Sequence, residues 1–190
     1  MTWLKDVRRQ RQATACNRRE FLRIGSGVAA ALMLPAGIAR AASHNERSLS
    51  FYHTHTGECL EMDFHPRLCK PQILDRINHF LRDFRTGEVH NIDTKLLVML
   101  CSIQQAVGSR GTYEIISGYR SKATNAKLRK SSSKVAKKSL HMSGRAIDIR
   151  LSDLKTITLR DLARSLKSGG VGYYADSDFI HIDTGRVRSW

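Results

Sequence analysis

The sequence is short of acidic residues: 17 Asp and Glu stand against 32 Lys and Arg, a formal charge of +15 over 190 residues. That imbalance favours polyanionic partners such as the cell envelope. No motif combining aromatic and basic residues accompanies the charge, so it does not point to nucleic acid in particular. Cysteine is scarce as well. None of the four (Cys16, Cys59, Cys69, Cys101) has zinc-finger spacing, which excludes a thiolate-built structural zinc site. Three cysteines follow residue 41, and an odd count precludes complete pairing. Cys59 and Cys69 are close enough in sequence to close a small loop, whereas Cys101 falls on an apolar helical face and reads as a small core residue. There is no internal repeat, and past residue 41 no apolar run is long enough to cross a bilayer. What remains is the length of one domain with a proper core.

The first 41 residues read as a leader. They hold eight Lys/Arg and two Asp/Glu, so +6 of the excess charge lies here and +9 in the remainder. Asn17-Arg18-Arg19-Glu20-Phe21-Leu22-Arg23 resembles a twin-arginine export motif, with Asn and Arg in place of its usual first and last residues. Residues 24–39 are uncharged and rich in Ala and Gly. Ala39-Arg40-Ala41 then offers small residues for cleavage after Ala41. The uncharged stretch is 16 residues long with Pro35 inside it, which is short for an uncleaved membrane anchor. The expected organisation is a signal peptide over 1–41 and one domain over 42–190, exported to the periplasm by the twin-arginine translocase.

Periodicity outlines the domain. Strands are expected over 48–52 and 58–63, joined as a hairpin around Thr56-Gly57. A helix is expected over 73–84, and a second over 93–107, capped by Asp93 and ended by Gly108. A strand over 113–117 leads into a turn at 118–121. Residues 130–138, rich in Ser and Lys, read as a surface loop. A strand over 145–151, a helix over 158–168, a tight glycine passage at 169–172 and a strand over 179–183 complete the pattern. Helices leading into a predominantly antiparallel sheet make the fold class α+β.

Two segments carry the chemistry: Ser139-Leu140-His141-Met142-Ser143-Gly144-Arg145-Ala146-Ile147-Asp148 and Asp178-Phe179-Ile180-His181-Ile182-Asp183. Side chains alternate across a strand. Ile147, Ile149 and Leu151 therefore share one face and Asp148 the other; Ile180 and Ile182 share one face, His181 and Asp183 the other. If the two strands are neighbours, their isoleucines form core and Asp148 emerges beside His181, with His141 in the preceding loop. Two imidazoles and one carboxylate suit a catalytic zinc, which leaves a fourth position open. Spacing alone leaves the bland reading open too, since a lone His on a strand is usually structural and a lone Asp usually a cap or a surface residue. His53 and His55 read as hairpin structure.

The pattern Ser-x-His-x-x-Gly-x-Ala-x-Asp, met by Ser139, His141, Gly144, Ala146 and Asp148, followed by a strand with Asp-x-x-His, resembles the zinc peptidases of the M15 group. The likeness is closer to its exported murein endopeptidase K type. It extends over His55-Thr56-Gly57-Glu58, Asn78-His79-Phe80-Leu81-Arg82-Asp83-Phe84-Arg85, Ile116-Ser117-Gly118-Tyr119-Arg120-Ser121, Gly169-Gly170-Val171-Gly172-Tyr173-Tyr174 and His181-Ile182-Asp183-Thr184-Gly185. The resemblance implies the fold shared by D-Ala-D-Ala peptidases and the amino-terminal Hedgehog domain. It implies one Zn2+ held by His141, Asp148 and His181. It also implies Asp178 as the base, Arg120 as a group that binds substrate and steadies developing charge, and Tyr119 and Ser139 as further substrate contacts. Members of the close subgroup need not carry an acid at the position of Asp178, so Asp183 stands beside it as base or as partner of a ligand.

The expected activity is hydrolysis of the peptide cross-links of peptidoglycan. A carboxypeptidase trimming stem peptides and a zinc-holding binding module are the alternatives. The glycine run is expected to keep one wall of the groove low, and Lys137 and Lys138 to draw in acidic stem peptides.

Overall fold

The computed structural model describes residues 47–65, 70–133 and 135–190. The leader and Cys69 lie outside the described residues, as does any pairing of Cys69 with the exposed Cys59. Among the described residues, seven strands form one sheet in the order β2-β1-β3-β4-β6-β5-β7. They are β1 (Arg47–His53), β2 (Cys59–Phe64), β3 (Tyr113–Ser117), β4 (Ala146–Leu151), β5 (Gly170–Tyr174), β6 (Phe179–Asp183) and β7 (Arg188–Ser189). Four helices of the described residues accompany them: α1 (Pro71–Phe80), α2 (Thr94–Val107), α3 (Lys122–Ser131) and α4 (Thr156–Ser165). No helix among the described residues is long and apolar enough to cross a membrane.

The α+β class agrees with expectation, but the sheet is mixed. β1 runs parallel to β3, and β5 parallel to β7, within an otherwise antiparallel order. The expectation of a predominantly antiparallel sheet is corrected for that reason: α1 and α2 carry the chain from the β1–β2 hairpin around to β3, a crossover long enough for parallel pairing. Helix α1 ends at Phe80 rather than at 84, because the chain turns there on the buried Asp83. Residues 122–129, to which periodicity assigned nothing, form α3 together with the first two residues of the expected 130–138 loop; Ser121 caps it by accepting from Thr124 N. The glycine passage proves to be β5. Asp93 caps α2 by accepting from Lys95 N, and Gly108 ends it in the left-handed region.

The core lies on the isoleucine face. Ile147, Ile149, Ile180, Ile182 and Val171 are at most 1% exposed and pack with Leu96, Leu100 and Ile103 of α2 and Leu159 of α4 in one cluster. Burying such side chains contributes roughly 1.5–3 kcal/mol each. The β4–β6 register pairs Asp148 with His181 and Ile149 with Ile180, so the core face and the polar face are set by one alignment.

A second buried device positions the turn after β3. The Asp83 carboxylate accepts from Ser121 N at 2.9 Å and Arg85 N at 3.0 Å, while Tyr119 N donates to Leu81 O at 2.8 Å. Gly118 is required at this close approach, since a Cβ there would lie 2.6 Å from Leu81 O. Burial alone would raise the Asp83 pKa, but hydrogen bonds from Thr124, Ser121 and Arg85 outweigh it and hold it below the usual carboxylate value. A depressed pKa gives stability that is present above the unfolded-state value of about 4 and lost as pH falls through the folded-state one. Asp83→Ala should therefore lower the unfolding free energy at pH 7 by about 2–3 kcal/mol, the cost of orphaning buried donors. Urea titrations of the two proteins should show the gap narrowing below about pH 4.

Candidate metal centre

Four strands and one turn converge on the polar face. A register shift between Ile115 and Ser117 brings Ser117 opposite Asp148. Asp148 faces His181, and His181 faces Gly172. The row Ser117–Asp148–His181–Gly172 thus crosses β3, β4, β6 and β5 side by side. His141 enters from a single 3-10 turn, Leu140–Ser143, that closes on Gly144 at φ 64°. A side chain at Gly144 would strike Asn91 O, so only glycine lets the chain reverse there.

His141 Nε2 lies 3.2 Å from His181 Nδ1 and 3.2 Å from Asp148 Oδ1, and His181 Nδ1 lies 2.9 Å from the same oxygen. All three residues are buried. The outer atoms decide the tautomers. His141 Nδ1 lies 2.7 Å from Gly118 O, which can only accept, so that nitrogen carries the hydrogen. His181 Nε2 lies 3.0 Å from the Asp183 carboxylate and likewise carries one. With both histidines neutral, two imidazole lone pairs and a carboxylate oxygen are left pointing at one another. Such a set fits a divalent cation, with His and carboxylate ligands and with each imidazole held by an outer acceptor.

The electrostatics agree. Burial pulls His141 below its ordinary value despite Asp148. Burial alone would lower His181 too, but its bonds to Asp148 and Asp183 prevail and hold it up to about 9. Asp148 is kept well below the usual range; burial opposes this, and the two imidazoles outweigh it.

The site floors a cleft of about 300 Å3, whose walls include Arg120, Lys138, Ser139, Leu140, Tyr174, Phe179 and Trp190. Arg120 Nη2 donates to Ser117 Oγ at 3.3 Å and lies 3.7 Å from Asp148 Oδ2, while its buried Nε has no partner among the described residues. The side wall carrying Ala136 is pinned by Asn125, whose Nδ2 donates to Ala136 O at 3.2 Å.

The structure brings His141, Asp148, His181, Asp183, Arg120 and Ser139 together; Tyr119 and Asp178 stand apart. The Tyr119 ring stacks on His90 at 4.7 Å between centroids. Asp178 adopts φ 48° before β6 and is two-thirds exposed. It accepts from Thr156 Oγ1 at the start of α4 and lines a different depression, with Glu114, Arg150 and Lys155. The separation is local: Asp178 precedes β6 in a left-handed turn, and its carboxylate is taken by Thr156 and lies beside Arg150, away from His181.

The glycine run also differs from expectation. A Cβ on Gly170 would lie 2.3 Å from Arg188 Nη1, and one on Gly172 2.6 Å from the Trp190 ring. The space those glycines leave is filled by β7 and the residue after it, rather than left open as a low wall. Tyr174, one residue of the 169–174 motif with no expected role of its own, lines the cleft. Its hydroxyl accepts from Trp190 Nε1 at 3.2 Å, which leaves its own hydrogen to donate elsewhere. No spacing rule would have singled it out, because its role depends on Trp190.

Residues 41–190 match the family described as peptidoglycan L,D-endopeptidase MepK, of the M15 peptidases. A relative from Haemophilus influenzae, named probable peptidoglycan L,D-endopeptidase MepK, is 40% identical over 179 residues, covering 92% of this chain and 95% of that protein. The peptidoglycan L,D-endopeptidase MepK of Escherichia coli K12 is 39% identical over 176 residues, covering 92% and 97%.

A cation entering this set must displace the proton on His181. Below about pH 9 the affinity should therefore rise with pH, and near neutrality each ion bound should release close to one proton. Zinc titration of the metal-stripped protein, by calorimetry in buffers of different ionisation enthalpy, would give the count. A count of zero would mean that His181 carries no extra proton in the metal-free protein or is not a ligand.

Proposed function

This chain belongs to the M15 peptidase family of peptidoglycan L,D-endopeptidase MepK and is a peptidoglycan peptidase, and we propose that it is a zinc-dependent endopeptidase hydrolysing L,D peptide cross-links of murein. The observation that carries the zinc reading is the convergence of two imidazole nitrogens and a carboxylate oxygen, all from buried residues, on the floor of an open cleft. His141, Asp148 and His181 would hold one Zn2+. The chemistry it supplies is a Lewis acid for the scissile carbonyl and a nucleophilic water near neutral pH.

The protein's own groups do the rest. Gly118 O and Asp183 hold the two imidazoles with their lone pairs inward. Arg120, fixed by Ser117 and permanently charged, faces the developing oxyanion or a stem-peptide carboxylate. The Tyr174 hydroxyl, held by Trp190, can donate to the same developing charge. Ser139 and Lys138 line the approach of an acidic stem peptide, and the net charge of the chain favours an anionic wall.

The base is not assigned to Asp178, whose side chain is committed to Thr156. Asp183 is fully buried with both oxygens occupied, which suits it to holding His181. The twin-arginine pattern supports delivery to the periplasm by that translocase, with maturation to residues 42–190.

Cross-linked murein digested by the protein and resolved by chromatography with mass spectrometry tests the reading. Loss of L,D-linked dimers, blocked by chelator and restored by zinc, is expected. Release of terminal residues alone would make it a carboxypeptidase, and no cleavage by folded, zinc-loaded protein would make it a binding module. His141→Ala should lose both zinc and hydrolysis, and full activity in that variant would sink the assignment. Asp178→Asn should keep zinc and retain turnover within about threefold, well short of the 10²- to 10⁴-fold loss expected on removing a general base. A collapse of turnover with zinc retained would return the base role to Asp178.

A further inference from the structure

The row of residues next to the donor row is built to hold one ligand in place. Ala146 faces Asp183, Asp183 faces Gly170, and Gly170 faces Arg188. Arg188 is therefore two strands away from Asp183, with only a bare glycine between them. Its side chain crosses that gap: Nη2 lies 2.6 Å from Asp183 Oδ2 and Nη1 3.0 Å from Oδ1. Gly170 N and Gly185 N donate to Oδ1 at 3.2 and 2.8 Å. Oδ2 in turn accepts the His181 Nε2 hydrogen at 3.0 Å.

The Arg188 guanidinium also lies 4.8 Å from the centre of the Trp190 ring. That ring sits on Gly172 and 5.3 Å from the His181 ring. The His181 imidazole is thus held at its edge by Asp183 and along its side by Trp190, and both holders touch Arg188.

We propose that Arg188 is a positioning residue for the metal centre: it locks the plane of the Asp183 carboxylate and so fixes the tautomer and angle of His181. The inference rests on the zinc reading of the site given above. A carboxylate alone can rotate about its last bond and lose the imidazole. A bidentate guanidinium and two backbone donors remove that freedom. Lysine offers a point charge without the planar fork, so it should replace Arg188 only in part. Gly170 belongs to the device, since any side chain there would separate Arg188 from Asp183. Outer partners of this kind typically change metal affinity 10–100-fold.

The test is zinc affinity of the metal-stripped full chain, by competition with a chelator, together with the visible spectrum of the cobalt-substituted protein. Arg188→Gln should weaken zinc binding by about 10–100-fold, and Arg188→Lys by less; both should shift the cobalt bands, which report ligand geometry. Gly170→Ala should reproduce the loss without removing a charge. Circular dichroism melts of the metal-free proteins separate folding from binding, because a purely structural Arg188 would lower the melting point and leave affinity below it unchanged. If Arg188→Gln does not fold, Arg188→Lys decides.

Folded variants that bind zinc within twofold of the parent, with an unaltered cobalt spectrum, would overturn the proposal alone. A parent protein that takes up no zinc would overturn the zinc reading and this inference together.

Discussion

The pairing of Asp148 with His181 across β4 and β6 is the constraint on which the rest depends. Side chains alternate along both strands, so the alignment that sends Ile147, Ile149, Ile180 and Ile182 into the core sends Asp148 and His181 to the opposite face as neighbours. Slipping either strand by one residue would bury a carboxylate among isoleucines and expose core side chains. The site and the core are therefore not separable achievements of the fold. The same apolar packing that stabilises the domain holds two of the three donors in contact.

Electrostatics would work against this arrangement in the absence of a cation. Two lone pairs and a carboxylate oxygen converge in a buried place, and the raised affinity of His181 for a proton is the local response to that excess of acceptors. The outer contacts keep the donors from turning away. Gly118 O fixes His141, and the Asp83-centred turn brings Gly118 to it. Asp183 fixes His181, and Arg188 fixes Asp183. The centre is consequently supported from two distant parts of the chain, the loop after α1 and the strand β7.

Placement in the peptidoglycan L,D-endopeptidase MepK family gives these features a common purpose. A peptidase acting on an anionic wall polymer benefits from a basic surface and from an open cleft with a charged donor beside the reacting carbonyl. Arg120 and Tyr174 both line the cleft, one held by Ser117 and the other by Trp190.

Local pattern determined a good deal here. The alternation in 147–151 and 179–183 is enough to place Asp148 and His181 on polar faces, and Asp93 and Gly108 mark the ends of α2 as their chemistry requires. The motif around His141 carried the donor set through its resemblance to known peptidases. Other features lay beyond local reading because they depend on which segments become neighbours. The resemblance pointed to Asp178 as the base, yet it sits in a left-handed turn before β6, and Thr156 of α4 takes its carboxylate. The bulge before Ser117, the parallel pairing of β1 with β3, and the capture of Asp183 by Arg188 across Gly170 are likewise invisible in any short window. Periodicity encodes which way a side chain faces; only the packed sheet decides what it meets there, because its partners come from strands far apart in the chain.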